Sequence, residues 1–151
     1  MAATNARVAA LQAALAAENA AVYGYGVTGA MLAGTAQSLA YADWRAHEVA
    51  RDVLQAMLVK AGATPVAASP AYALPFAVTD ASAARRLAAW LEDGVARAYL
   101  GLVGVDDQAL RAFGAQAMQP PAIRAAAWSG TTVAFPGMPS PQGPDIAHTT
   151  P

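Results

Sequence analysis

Apolar side chains recur at Val8, Leu11, Leu15, Val22, Tyr25 and Leu32, and Glu18 and Gly29 fill two further positions of the same series. Steps of three and four residues are the seam of an α-helix packed in a bundle. Asn5 or Thr4 is expected to cap this first helix, and Gly34 to end it. A second helix is predicted from about Gln37 to Ala61, stopped by Gly62, with Trp44, His47, Arg51, Leu54 and Leu58 on one stripe. The following stretch, ATPVAASPAYALPFAVT over residues 63–79, contains prolines and loses the helical period. Fully extended it reaches roughly 55 Å, against roughly 37 Å for a 25-residue helix, so it can cross the whole bundle.

Thr79 or Asp80 is placed to cap a third helix, which carries Leu87, Leu91, Val95, Tyr99 and Leu102 on its seam as far as Gly104. Asp106 is expected to start a fourth, with Leu110 and Phe113 facing inward, until Pro120 and Pro121 interrupt it. A short continuation, Ala122 to Trp128, is closed by Gly130. The pattern therefore predicts an all-α four-helix bundle over residues 1–130 and a proline-rich tail over 131–151, pinned at Phe135. A faint internal echo accompanies it: Tyr25 follows Glu18 by seven residues, and Tyr99 follows Glu92 by the same interval. Such an echo suits a bundle of two similar helical hairpins.

Between Arg7 and Asp43 the only charged residue is Glu18, and it lies on the apolar seam. A lone buried carboxylate is costly, so Glu18 must find partners or change its protonation state. If the first hairpin folds about residues 34 and 35, Arg51 lies opposite Glu18, and His47 lies one turn away. A buried Glu18–Arg51 ion pair that fixes helix register is the first expectation. In the second hairpin, folding about Gly104, Glu92 falls level with Gln116. Each helix thus offers one polar residue near mid-height: Glu18, His47, Glu92 and Gln116. Tyr23, Tyr25, Tyr72 and Tyr99 are candidates to line a small pocket between helices.

The stretches AALQAALAAENAAVYGYG, DWRAHEVARDVLQAML, GATPVAASPAYALPF, LEDGVARAYL and AFPGMP together resemble an alanine-rich, ferritin-like bacterial domain family of unknown function. The resemblance covers about residues 7–138. It implies a ferritin-like four-helix bundle, a long crossover between helices two and three, and a homodimer, and it brings no activity. Di-iron members of that wider fold place a glutamate on each of two helices and Glu-x-x-His on the other two. Glu18, Glu92 and His47 match three of these positions, whereas Trp44 and the run Gln116-Ala-Met-Gln119 replace the bridging carboxylates and the second histidine. The motif is degenerate, so di-iron oxidation is not expected. A single iron, manganese or zinc ion on Glu18, His47 and Glu92 is the alternative to having no cofactor.

Composition narrows the choice further. Apolar residues make up 56% of the chain and charged residues 13%, about half the usual charged share. A surface so apolar and rich in alanine is easier to bury in a partner, which also points to a homodimer. The net charge of −1 and pI near 6.0 offer no basic field for nucleic acid. Cysteine is absent, so thiolate chemistry is excluded. Residues 19–42 lack charge but hold Asn19, Thr28, Thr35, Gln37 and Ser38, too polar for a membrane span. MAATNARVAALQ is a poor secretory signal, and a soluble, cytoplasmic protein is expected. Ser82 and Ser129 lack a histidine or acid at useful spacing, so no nucleophilic triad is expected, and whether the chain is an enzyme stays open with the balance against it. Three functions compete: a non-catalytic binding or interaction module with a degenerate metal site, a mononuclear metal-binding protein, and a binder of a small apolar ligand between helices.

Overall fold

The computed structural model describes residues 1–138. Those residues form α1 (Ala2–Ala30), α2 (Gly34–Lys60), α3 (Ala81–Val103), α4 (Gln108–Ala117) and α5 (Gln119–Ser129), with no strand among them. The bundle is all-α, with its last arm broken into two helices where Pro120 and Pro121 enter the first turn of α5. Proline suits that position because its missing N–H would have had no partner in the first turn.

The helix ends correct several expectations in detail. Thr4 and Asn5 lie inside α1, which begins at Ala2 without a side-chain cap. Asp80 caps α3 by accepting a hydrogen bond from the Ala83 amide at 2.7 Å, and Asp107, not Asp106, caps α4 through the Leu110 amide at 2.9 Å. At the end of α2 the Gly62 amide donates to Val59 and the Ala63 amide to Leu58. Gly62 has the positive φ, 74°, that this closure requires.

α2 and α3 both run antiparallel to α1. Glu18 meets His47 and Tyr25 approaches Asp43, while Tyr25 meets Glu92 and Tyr99 meets Glu18. In each set, residues later in α1 contact residues earlier in its neighbour. α2 and α3 are therefore parallel, and the connection over 61–80 must travel the length of the bundle. It does so along α1: Gln12 bonds the backbone of Thr64 and Val66, Asn19 reaches Val66, and Tyr23 packs on Tyr72 at a 5.5 Å ring separation.

The core has two apolar blocks. Leu11, Leu15, Leu54, Leu58, Val95 and Leu102 centre the first. Tyr25, Leu32, Leu87, Leu91 and Trp128 centre the second. Buried alanines at 14, 21, 40, 83, 84, 88 and 96 allow the helices to approach closely. Glu18, His47 and Glu92 lie where the blocks meet, so a polar layer divides the interior at mid-height.

The helix pairing is uneven. α1 packs broadly against α2 and α3, and α3 against α4 and α5, but α2 makes no comparable face with the α4–α5 arm. One side of the bundle therefore stands open as a cleft.

Of the expected tail, residues 131–138 fall within the described part. Phe135 is exposed, and contact with the bundle is made instead at Gly137, whose carbonyl accepts from Arg97 Nε at 3.3 Å. A Cβ at Gly137 would lie 2.9 Å from the Arg97 amide nitrogen, so only glycine lets the chain lie this close to α3. The remainder of the tail, 139–151, lies outside the described residues.

Candidate functional site

The site is built on Glu18 of α1, His47 of α2 and Glu92 of α3, which are 1%, 0% and 0% exposed. His47 Nδ1 lies 2.6 Å from Glu18 Oε2, and Nε2 lies 3.0 Å from Glu92 Oε1. An imidazole that faces a carboxylate on each side must donate from both nitrogens, which only the protonated ring can do. Burial by itself would depress its pKa, but hydrogen bonds and charge from Glu18 and Glu92 outweigh that and raise it to about 9. His47 is therefore an imidazolium at neutral pH.

Two tyrosines complete the arrangement, each serving the other hairpin. Tyr25 donates to Glu92 Oε1 at 2.6 Å, and Tyr99 donates to Glu18 Oε1 at 2.7 Å. The seven-residue echo is thus a crossed pair, α1 supplying the tyrosine for the glutamate of α3 and α3 returning it. Burial first, and then the adjacent carboxylates, push both phenols far above their ordinary pKa. They remain neutral donors.

Glu92 has a further partner that sequence reasoning did not reach. Arg124 of α5 donates from Nε to Glu92 Oε1 at 2.7 Å and lies 3.8 Å from Asp43 Oδ1. Burial would raise the Glu92 pKa, but His47 and then Arg124 overcome this, and the net shift is downward. Asp43 stands at the edge of the network, 2.9 Å from the Trp128 indole N–H and 3.3 Å from the Tyr25 hydroxyl. Burial dominates there and lifts its pKa despite the indole and the guanidinium.

Of the site residues read from sequence, Glu18, His47, Glu92, Tyr25 and Tyr99 come together, whereas Arg51 and Gln116 do not. Arg51 pairs with its neighbour Asp52 at 2.9 Å. The hairpin turns slightly earlier than the assumed fold at 34 and 35, and a shift of one helical turn, about 6 Å, brings His47 opposite Glu18 instead. Gln116 is exposed because α4 turns Phe113, Gly114 and Ala117 inward. The arm then breaks, and α5, not α4, reaches the height of Glu92. The missed residues carried a faint signal: Pro121, Arg124 and Trp128 repeat the three-and-four step, and Asp43 precedes His47 by one turn.

A metal ion needs several donors converging on one point. Both nitrogens of His47 and both oxygens of Glu18 are already engaged, and Oε1 of Glu92 accepts from three donors. Of the polar atoms of these three side chains, Glu92 Oε2 alone is buried without a partner among the described residues. The imidazolium sits between the carboxylates, so the three side chains do not fit a shared ion as arranged. Among the described residues, no group of three or more His, Asp or Glu side chains is placed to hold one.

The network is not sealed. A pocket of about 260 Å³ occupies the cleft between α2 and the α4–α5 arm. Ala46, Ala50 and Val53 line one wall, Phe113, Ala117, Pro120 and Pro121 line the other, and Glu18, Tyr99 and Arg124 form the polar floor. Of the four tyrosines considered from sequence, only Tyr99 lines it.

Comparison with known proteins places this arrangement in a family. The family described as "Domain of unknown function (DUF4439)" matches residues 10–140. The crystal structure of a conserved hypothetical protein, rv2844, from Mycobacterium tuberculosis is 33% identical, with a TM-score of 0.80, and the match covers 83% of this chain and 96% of that one. No curated protein matches the sequence.

Proposed function

This chain belongs to the DUF4439 family of unknown function, and we propose that it is a non-catalytic binding module whose α2/α4–α5 cleft holds a small, largely apolar ligand. One observation carries the reading: apolar walls from two arms of the bundle converge on the exposed edge of a buried charge network. Pockets of this form, apolar walls with a few placed polar groups, are how bundles hold small molecules. At about 260 Å³ the cleft is just below the roughly 300–1,000 Å³ of drug-sized sites, so the ligand is small. The ferritin-like character and degenerate metal motif belong to the same reading. They are supported by the long connection beside α1 and by the acid–imidazole–acid set on the inner faces of three helices. A network whose histidine already joins two carboxylates suits positioning better than catalysis.

N-phenylnaphthylamine, an uncharged apolar dye, tests the cleft. Saturable fluorescence enhancement in the wild type, abolished in Ala50→Phe where the new ring fills the space, is the expected result. Equal binding to both proteins would refute it. The metal-binding alternative would require His47 to release one carboxylate. Stoichiometric iron, manganese or zinc in protein purified without chelator, lost in Glu18→Ala, would establish that alternative.

Homodimerisation is part of the proposal and is supported by exposed Leu39, Tyr41 and Val59 on α2. Sedimentation equilibrium decides it, and a monomer at high concentration would overturn it. Among the described residues no helix is long and apolar enough to cross a membrane.

A further inference from the structure

We infer that the ligand of the α2/α4–α5 cleft is an amphiphile headed by a carboxylate, bound by the outer edge of the Arg124 guanidinium; this rests on the cleft reading above. Among the described residues Arg124 is the one cation lining the cleft, and its side chain is 20% exposed. Its Nε is committed to Glu92 at 2.7 Å, which fixes the plane of the guanidinium from behind. The two terminal nitrogens make no hydrogen bond among the described residues, and neither is buried. A guanidinium held by one edge, with the other open at the floor of an apolar cleft, presents a pair of parallel N–H donors. That geometry matches the two oxygens of a carboxylate.

The other floor groups do not compete for a head group. The Tyr99 hydroxyl already donates its hydrogen bond to Glu18 at 2.7 Å, and both Glu18 oxygens already accept a donor. Glu18 is also 1% exposed, so an amine head would have to displace the imidazolium or the phenol to reach it. An alcohol head would use only one of the guanidinium donors. Within the network, the imidazolium and Arg124 offset the two buried glutamates, and Asp43, 3.8 Å from Arg124 Nε, is bonded to the Trp128 indole and absent from the cleft lining. The walls, Ala46, Ala50, Val53, Phe113 and Pro120, provide hydrocarbon contact and no hydrogen-bonding side chain. An unbranched tail meets these walls while the carboxylate meets Arg124.

Calorimetric titration of the full chain with octanoate, 1-octanol and octylamine tests the inference, alongside Arg124→Lys and Ala50→Phe. Arg124→Lys keeps a cation beside Glu92 and so protects the fold, but removes the fork. Circular dichroism confirms that each variant is folded. Octanoate is expected to bind about tenfold or more tightly than 1-octanol or octylamine. Arg124→Lys is expected to weaken octanoate binding far more than 1-octanol binding and so to remove that preference, and Ala50→Phe to abolish binding of all three. Equal affinities for the three probes, or an octanoate preference that survives Arg124→Lys, would overturn the head-group inference and leave the cleft intact. No binding of any probe to the wild type would overturn the cleft reading itself.

Discussion

His47 Nδ1 lies 2.6 Å from Glu18 Oε2, while its Nε2 faces Glu92 Oε1 at 3.0 Å, so one imidazolium joins α1, α2 and α3 at the level where the apolar core divides. Removing it would leave two buried carboxylates facing each other without their common cation. His47→Leu is expected to destabilise by about 3–5 kcal/mol, the usual cost of breaking a buried ion pair from one side. Urea unfolding measures this, and a loss below about 1 kcal/mol would mean that the glutamates are relieved by water or by their own protonation.

Arg51 gives the contrasting case. Its partner Asp52 is 62% exposed, and Arg51 itself does not reach Glu18. Arg51→Met should change stability by no more than about 0.5–1 kcal/mol, as exposed pairs do. A loss comparable to that of His47→Leu would show that Arg51 meets Glu18 in solution after all.

The pH dependence follows from the direction of each shift. The folded His47 pKa, raised to about 9 from an ordinary 6.5, means that the folded state holds this proton more tightly. Its contribution, on the order of 3 kcal/mol, is complete below pH 6.5 and is lost as pH rises through about 9. Glu92 is shifted down, so its contribution is present above its ordinary 4.5 and is lost as pH falls through its depressed value. Asp43, shifted up, offsets part of that acid loss. Urea midpoints should therefore decline from pH 6.5 to pH 9.5 in the wild type and change little over that window in His47→Gln. A wild-type midpoint that stays level there would be inconsistent with a protonated His47.

Packing at the α3–α4 crossing sets the position of the arm that carries Arg124. A Cβ at Gly114 would lie 2.7 Å from Leu102 Cβ and 2.9 Å from the Tyr99 carbonyl oxygen. Backbone cannot yield as a flexible side chain can, so Gly114→Ala is expected to cost about 1–3 kcal/mol through overpacking. Gly26→Ala, where a Cβ meets nothing within 4 Å, is the control and should be neutral or slightly stabilising. Equal behaviour of the two variants would show that α4 does not press on α3 as described.

The helices were legible because their causes are local. Three-and-four spacing, prolines at 65, 70 and 75, and glycines at 34, 62, 104 and 130 act within one or two turns of chain. The same spacing made Glu18 and Glu92 conspicuous, since a carboxylate on an apolar seam contradicts its surroundings. Partner identity is a different quantity, because it depends on register between helices. The turn at residues 31–33 places His47, and not Arg51, beside Glu18, a difference of four residues that no local signal specifies. The break between α4 and α5 likewise exposes Gln116 and carries Arg124 to Glu92. The sequence by itself determined where helices form and which side chains could not tolerate water or hydrocarbon alone. Tertiary structure alone decided which charges meet and that one side of the bundle stays open, because both depend on offsets of a few ångströms summed over whole helices.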